Sequence, residues 1–248
     1  ATNAIEDSDF YSHGGVRIGS ILRAFAVNIF SGELRQGGST ITQQLVKKAI
    51  LTDEKTLTRK IKELILAFKA ESAYSKNDIL NLYLNEIPYG SNAYGVEAAA
   101  ETYFGKSTDL LTLAEATYLA ALPRAPTRLS PYGSHRDELE ARKNLVLERM
   151  RSLGFISDQE AQRAQDEKVK FVNRALEGIR APHFALYVKE YLVDKYGEDA
   201  VEKGGLKVIT TLNWGWQKMA EELAKKFAED NEKKFNAKNL GLVALDPK

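Results

Sequence analysis

Gly37-Gly-Ser-Thr-Ile-Thr-Gln-Gln-Leu-Val-Lys-Lys48 is the stretch from which the rest of this sequence can be read. Two glycines followed by Ser39 make a flexible approach to a helix whose first free N–H groups can hold an anion. Along that helix Gln44, Lys47 and Lys48 stand at i, i+3 and i+4, on one face. Spacing alone allows a plainer account, in which Ser39 is an ordinary N-cap and the lysines are solvated. What weighs against it is the neighbourhood. From Lys47 to Lys62 there are six basic residues and two acidic ones, a local balance of +4 inside a chain whose formal net charge is +1.

The next segment, roughly Asp53 to Ala73, carries the same charge in a helical pattern. At 100° per residue Leu57, Ile61, Leu64 and Phe68 form an apolar stripe, with Lys55, Arg59, Lys60 and Glu63 on the opposite arc. A solvated charged face is the usual origin of such an arc. Lys55 and Arg59 are nevertheless like charges at i, i+4, mildly destabilising unless something negative lies between them, and a phosphate or pyrophosphate would supply that. Upstream, Glu6-Asp-Ser-Asp-Phe-Tyr-Ser-His13-Gly-Gly15 places adjacent carboxylates near an aromatic ring and a histidine. That is the material of a general base with a neighbour to hold its geometry, or of an acidic, frayed terminus. His13 alone reads as a structural hydrogen-bonding residue. His13, His135 and His183 are far apart, so no zinc motif is visible, and neither a GxSxG elbow nor a Walker P-loop is present.

The whole-chain figures bound these readings. With 248 residues, 44% hydrophobic and 28% charged, the chain can form one large domain or a domain and a fragment. Zero cysteines exclude a disulfide scaffold, and near-neutral charge argues against a nucleic-acid partner. No secretory signal opens the chain. The most apolar stretch, Ile18 to Phe30, has nine apolar residues in thirteen and is too short to span a bilayer; it fits a buried core helix or a segment lying in a membrane surface with Arg23 snorkelling.

Helix signals dominate to about residue 200. Thr112-Leu-Ala-Glu115 and Ser157-Asp-Gln-Glu160 are capping boxes, and Ser134 can cap a long helix stopped by Gly154. Residues 87–95 and 123–131 read as loops. After Gly204-Gly205 the pattern changes: a β-branched run at 206–212, a helix from Trp214 to Phe235, then an apolar run at 240–245. The expected organisation is a helical domain over 1–180, a connector over 181–205, and a linker with the severed start of a second domain over 206–248.

Taken in order, these segments resemble the glycosyltransferase domain of class A penicillin-binding proteins, the peptidoglycan polymerases of glycosyltransferase family 51. Glu6-Asp7-x-x-Phe10-x-x-His13-x-Gly15 is similar to the family's first motif and Gly37-Gly-Ser-Thr-Ile-Thr-Gln-Gln44-x-x-Lys47 to its second. Arg59-Lys60-x-x-Glu63, Ile79-Leu-x-x-Tyr-Leu-Asn85 and Gly95-Val-x-x-Ala-Ala-x-x-Tyr103-Phe-Gly-Lys106 resemble the third, fourth and fifth. Asn81 stands where the fourth motif usually has Glu, and Lys48 where Asn is common. The later stretches resemble the junction into a transpeptidase domain, whose Ser-x-x-Lys motif the chain lacks, and the family's N-terminal membrane helix is not in this sequence, so the expectation is a trimmed piece of a longer protein.

The resemblance implies a mainly α, lysozyme-like fold with a membrane-facing lobe at about residues 18–60 and a short α/β C-terminal segment. It implies transfer of a glycan from undecaprenyl pyrophosphate to the 4-hydroxyl of lipid II, giving a β-1,4 bond with inversion, on the outer face of the bacterial inner membrane. Glu6 would be the base and Asp7 would orient it. Lys47, Lys55, Arg59 and Lys60 would offset the charge on the leaving pyrophosphate, and Ser39, Thr40 and Gln44 would bind sugar or phosphate oxygens. Glu63 matches the second family carboxylate, to position Lys60, hold a cation or assist departure of the phosphate. An Mg²⁺ or Mn²⁺ ion bridging the pyrophosphate is compatible with this chemistry but not obligatory, and the sequence shows no dedicated ligand set for it. Other cell-wall synthesis proteins are candidate partners. Two other classes stay open: a lysozyme-like hydrolase with Glu6 as general acid, for which a +4 patch has no use, and a non-catalytic module binding anionic lipid, which needs no acidic pair.

Overall fold

Capping chemistry sets where the helices of this chain begin. The computed structural model describes residues 1–17, 38–51, 56–172, 179–237 and 240–244, so the Ile18–Phe30 segment, Gly37 and Lys55 lie outside the described residues. Among these are α1 (Thr2–Glu6), α2 (Ile41–Ala49), α3 (Leu57–Ala73), α4 (Lys76–Glu86), α5 (Val96–Phe104) and α6 (Leu113–Ala121). They are followed by α7 (Arg136–Ser152), α8 (Asp158–Asp166), α9 (Pro182–Tyr196), α10 (Glu198–Lys203) and α11 (Trp214–Phe235).

Thr112 and Ser157 open α6 and α8 with capping boxes, as expected. Two other starts differ. Thr40, not Ser39, caps α2: its hydroxyl accepts the Gln43 N–H at 3.1 Å, and the Gln43 carbonyl accepts the Thr40 N–H at 2.9 Å. Helix α7 starts behind His135, because Ser134 is drawn away by Glu190, whose carboxylate accepts its N–H at 2.9 Å and its hydroxyl at 2.6 Å. The far end of α7 closes on Gly154 as read. The Gly154 N–H reaches the Arg151 carbonyl and the Phe155 N–H reaches back to Met150, the crossed pair that a left-handed residue permits.

Helix α6 is the centre of the fold. Ala114, Thr117, Tyr118, Leu119, Ala120 and Ala121 are all buried, and a helix apolar on nearly every side has to be enclosed. Helix α7 runs along it, and α1, α5 and α8 complete the enclosure. The core continues through Phe10, Ile41, Ile79, Tyr83, Tyr103 and Leu139. Helix α2 packs between α3 and α4.

Helix α3 is rotated relative to its apolar stripe, with Leu64 packed inward and Ile61 and Phe68 left outside. Ile61, Ile65 and Phe68 are 58%, 51% and 53% exposed, whereas Glu63 and Ala67 face inward. Ala67 is small enough to let α3 close on Val46 of α2 and on Val16, and Glu63 tolerates burial because cations meet it there. At the other end of the chain, 206–212 forms no strand, and Ile209 is 86% exposed. A β-branched run becomes a strand only when its N–H and C=O groups find a partner, and no described segment pairs with it. Among the described residues no helix is long and apolar enough to cross a membrane.

The N-terminal segment is fastened to α2 by one buried carboxylate. Asp7 accepts the Ile41 N–H at 3.0 Å, lies 3.0 Å from His13 Nε2, and receives the Arg17 guanidinium. The Gly15 N–H donates to His13 Nδ1 at 3.1 Å, so Nδ1 is the acceptor and Nε2 carries the hydrogen given to Asp7. The Thr40 hydroxyl donates to the Gly15 carbonyl at 2.6 Å. Gly15 has φ +81°, and a Cβ there would lie 2.7 Å from Glu71 Cγ, so no other residue fits.

Asp7→Ala takes the acceptor from the buried Ile41 N–H and from His13 and leaves the partly exposed Arg17 guanidinium only its longer contact with Asp9, and is expected to cost about 2–4 kcal/mol in denaturant unfolding. Asp9→Ala, at an exposed position, should stay within about 0.5 kcal/mol. A second expectation concerns alkali. Burial raises the phenols of Tyr83, Tyr89 and Tyr103 well above their ordinary value and brings Tyr132 to about 12. A raised phenol contributes stability that is whole below pH ~10 and is lost as pH climbs toward the folded value, at roughly 1.4 kcal/mol per group per pH unit. The melting temperature should therefore fall from about pH 10 upward, with these phenolates appearing in ultraviolet absorbance only on unfolding.

Candidate active site

Glu6 is the last residue of α1, and its side chain is 15% exposed. The Gln44 amide, from the exposed side of α2, donates to Glu6 Oε2 at 2.9 Å. The Gln44 carbonyl in turn accepts the Tyr83 hydroxyl of α4 at 3.0 Å, which fixes the amide so that its N–H₂ faces Glu6. On the other side Arg142 of α7 brings Nη2 to 3.4 Å from Glu6 Oε1 while its Nε donates to the Ala121 carbonyl at 3.0 Å. Burial pulls the Arg142 guanidinium below its usual range; the charge of Glu6 works against that and the nearby Arg124 adds to it. The charge of Glu6 also adds to the burial that raises Tyr83 and Tyr89. Four helices thus hold one carboxylate between a neutral donor and a cation.

The second carboxylate is surrounded differently. Glu63 is 2% exposed, and both its oxygens are taken: Arg59 Nη1 donates to Oε2 at 3.1 Å and Lys60 Nζ donates to Oε1. Lys60 also donates to the Ser39 hydroxyl at 3.3 Å. Ser39, released from capping, is exposed at the approach to α2. It stands five positions before Gln44, so the two carboxylate clusters are contacted from the two ends of one short stretch. Lys47 follows Gln44 by one turn and is half-buried.

The structure therefore gathers Glu6 and Gln44 at one cluster, and Ser39, Arg59, Lys60 and Glu63 at the other. Asp7 and Thr40, counted among the substrate-binding residues in the sequence, are instead buried and spent on protein partners: Asp7 on Ile41, His13 and Arg17, Thr40 on Gly15 and Gln43. They set the position of the site without facing it. Arg142 and Tyr83 were missed. Tyr83 falls within the Ile79–Asn85 stretch, where its apolar periodicity reads as core, and it is both core and hydrogen-bond donor. Arg142 lies in a helix dense with charge, and only tertiary packing singles it out. Asn81, exposed on α4, accepts from the Asn85 amide at 3.0 Å, and Lys48 pairs with Asp199 at 3.3 Å. Lys106 holds Glu115, the capping-box residue of α6, at 2.7 Å.

A divalent cation finds no ligand set among these groups. Among the described residues no three His, Asp or Glu side chains converge on a possible metal position, and the oxygens of Glu63 already face two cations.

Comparison with known proteins identifies the family. The transglycosylase family model matches residues 1–151, the span that contains both clusters. Penicillin-binding protein 1A of Aquifex aeolicus is 45% identical over 242 residues, 98% of this chain and 32% of that protein. Penicillin-binding protein 1A of Escherichia coli is 44% identical over 88% of this chain and 26% of its own length. A crystal structure of penicillin-binding protein 1A from Haemophilus influenzae shares 31% identity over 79% of this chain and 25% of that one, with a TM-score of 0.37. The chain spans about a third or less of these relatives. With more than half of its residues matched by the family model, it belongs to the transglycosylase family, the peptidoglycan glycosyltransferase domain of class A penicillin-binding proteins.

Proposed function

We propose that the chain polymerises lipid II into β-1,4-linked glycan with Glu6 as general base. The observation that carries this reading is the pairing, along one short stretch, of a carboxylate held by Gln44 with a cationic cluster at Ser39, Arg59 and Lys60. Glu6 takes the proton of the acceptor's 4-hydroxyl as that oxygen attacks the anomeric carbon of the donor. The bond from that carbon to the pyrophosphate breaks with inversion, and the electron pair leaves on undecaprenyl pyrophosphate. Lys60 and Arg59 offset the charge that develops there, the electrostatic contribution that is usually largest in such sites.

Glu63, engaged by both cations, positions Lys60 and Arg59 and does not itself transfer a proton. A divalent cation, where one is used, would have to be held by the substrate's own oxygens, since the carboxylate of Glu63 is engaged by Arg59 and Lys60. The cationic cluster at Arg59 and Lys60 suits a pyrophosphate leaving group and has no use in cleaving a neutral glycan, which disfavours hydrolysis with Glu6 as acid. The exposed ridge of Ile61, Ile65 and Phe68, flanked by Lys62 and Lys69, suits an anionic membrane surface on which both substrates are anchored, the outer face of the bacterial cytoplasmic membrane.

Labelled lipid II should yield polymer, and Glu6→Gln should lower kcat by about 10²–10⁴ with lipid II still bound. Shortening of a preformed glycan, with no polymer made from lipid II, would establish the hydrolase instead. Ile65→Ser with Phe68→Ser should weaken binding to anionic liposomes at least tenfold and leave the melting temperature within a few degrees, because both side chains are already exposed.

A further inference from the structure

The segment after the matched family span lies against the catalytic body through its carboxylates. On α9, Glu190 grips the Ser134 turn with both oxygens and Asp194 reaches Arg128 at 3.4 Å. The turn is shaped for that contact: a Cβ on Gly133 would lie 2.0 Å from Glu190 Oε1. The chain then turns a corner at Gly197, φ +87°, into α10. The first two residues of α10 continue the pattern. Glu198 accepts the Thr127 N–H at 3.0 Å and also its hydroxyl, and Asp199 pairs with Lys48 at 3.3 Å. Lys48 is one turn beyond Gln44 on the helix that presents Gln44 to Glu6.

We propose that Asp199 and Lys48 are positioning residues for the transfer reaction: the corner at Gly197, anchored by Glu198 on the Thr127 turn, holds the C-terminal end of α2 and so fixes Gln44 against Glu6. The N-terminal end of α2 is fixed by Asp7 and Thr40 and its inner face by packing on α3 and α4, and Lys48 adds a tie at the C-terminal end. The position of α9 and α10 is thereby transmitted to the base, and whatever shifts that corner changes turnover. This inference rests on the reading of Glu6 and Gln44 given above.

The test compares Lys48→Asp, Asp199→Lys and the double exchange in the full chain, with Glu198→Ala as a variant at the anchored side of the corner. Kinetics on lipid II and amide hydrogen exchange in Gln44–Ala49 are both read. Each single charge reversal should lower kcat about fivefold with KM within about twofold, and raise exchange in α2 by about the same factor, the most a half-exposed ion pair can supply. The double exchange should restore both to within about twofold, and Glu198→Ala should raise exchange in the same amides. A lysine acting directly on substrate would not be rescued by the exchange of charges. Wild-type kcat and exchange in both single variants, or a double variant no better than the worse single, overturns the proposal. If the unaltered chain makes no polymer, the functional reading falls, and the exchange data alone still decide whether the corner at Gly197 holds α2.

Discussion

A carboxylate taken wholly out of water has to be met by donors on every side, and Asp7 is met by three that come from different parts of the chain. A helix N–H from α2, an imidazole and a guanidinium converge on it. Ion pairs of this kind contribute little net stability when weighed against an apolar alternative, but removing one partner strands the others, so they specify a geometry more than they strengthen it. Glu6 is the adjacent residue. The contact that fixes Asp7 on the start of α2 therefore fixes where Glu6 stands relative to Gln44, one turn further along the same helix. Gly15, His13 and Thr40 serve the same tie from the other side.

The two carboxylates of the site illustrate how environment divides labour between identical groups. Glu63 is enclosed by cations that satisfy both oxygens, which makes it a template holding Lys60 and Arg59 in place at little cost in desolvated charge. Glu6 is held by an amide whose orientation Tyr83 dictates and by a guanidinium at longer range, and it keeps some exposure to solvent. In the proposed reaction the first group never leaves its partners, while the second must exchange a hydrogen bond with the substrate for each bond made.

Much of this was legible in the residues. The capping boxes at Thr112 and Ser157, the stop at Gly154, the structural role of His13 and the grouping of Arg59 and Lys60 with Glu63 one turn away all rest on local chemistry, and local chemistry is what a sequence displays. What escaped depends on partners distant in the chain. Ser39 lost its cap to Thr40 because Thr40 could also bond Gly15; Ser134 lost its to Glu190, more than fifty residues away. Arg142 is one of several arginines on α7 until packing brings it to Glu6. The run at 206–212 has the composition of a strand, but pairing is a property of two segments, and no described residue supplies the second.

The orientation of α3 carries a practical consequence. Glu63 is turned inward and Ile61, Ile65 and Phe68 outward, so these exposed apolar side chains are not defects of packing. They sit on the reverse side of the helix that organises Lys60 and Glu63. A screen that rewards soluble expression would replace these side chains first, since nothing in the core resists the change. Under the function proposed here, it would return proteins that fold well, keep every group of the site intact, and no longer share a phase with their substrate.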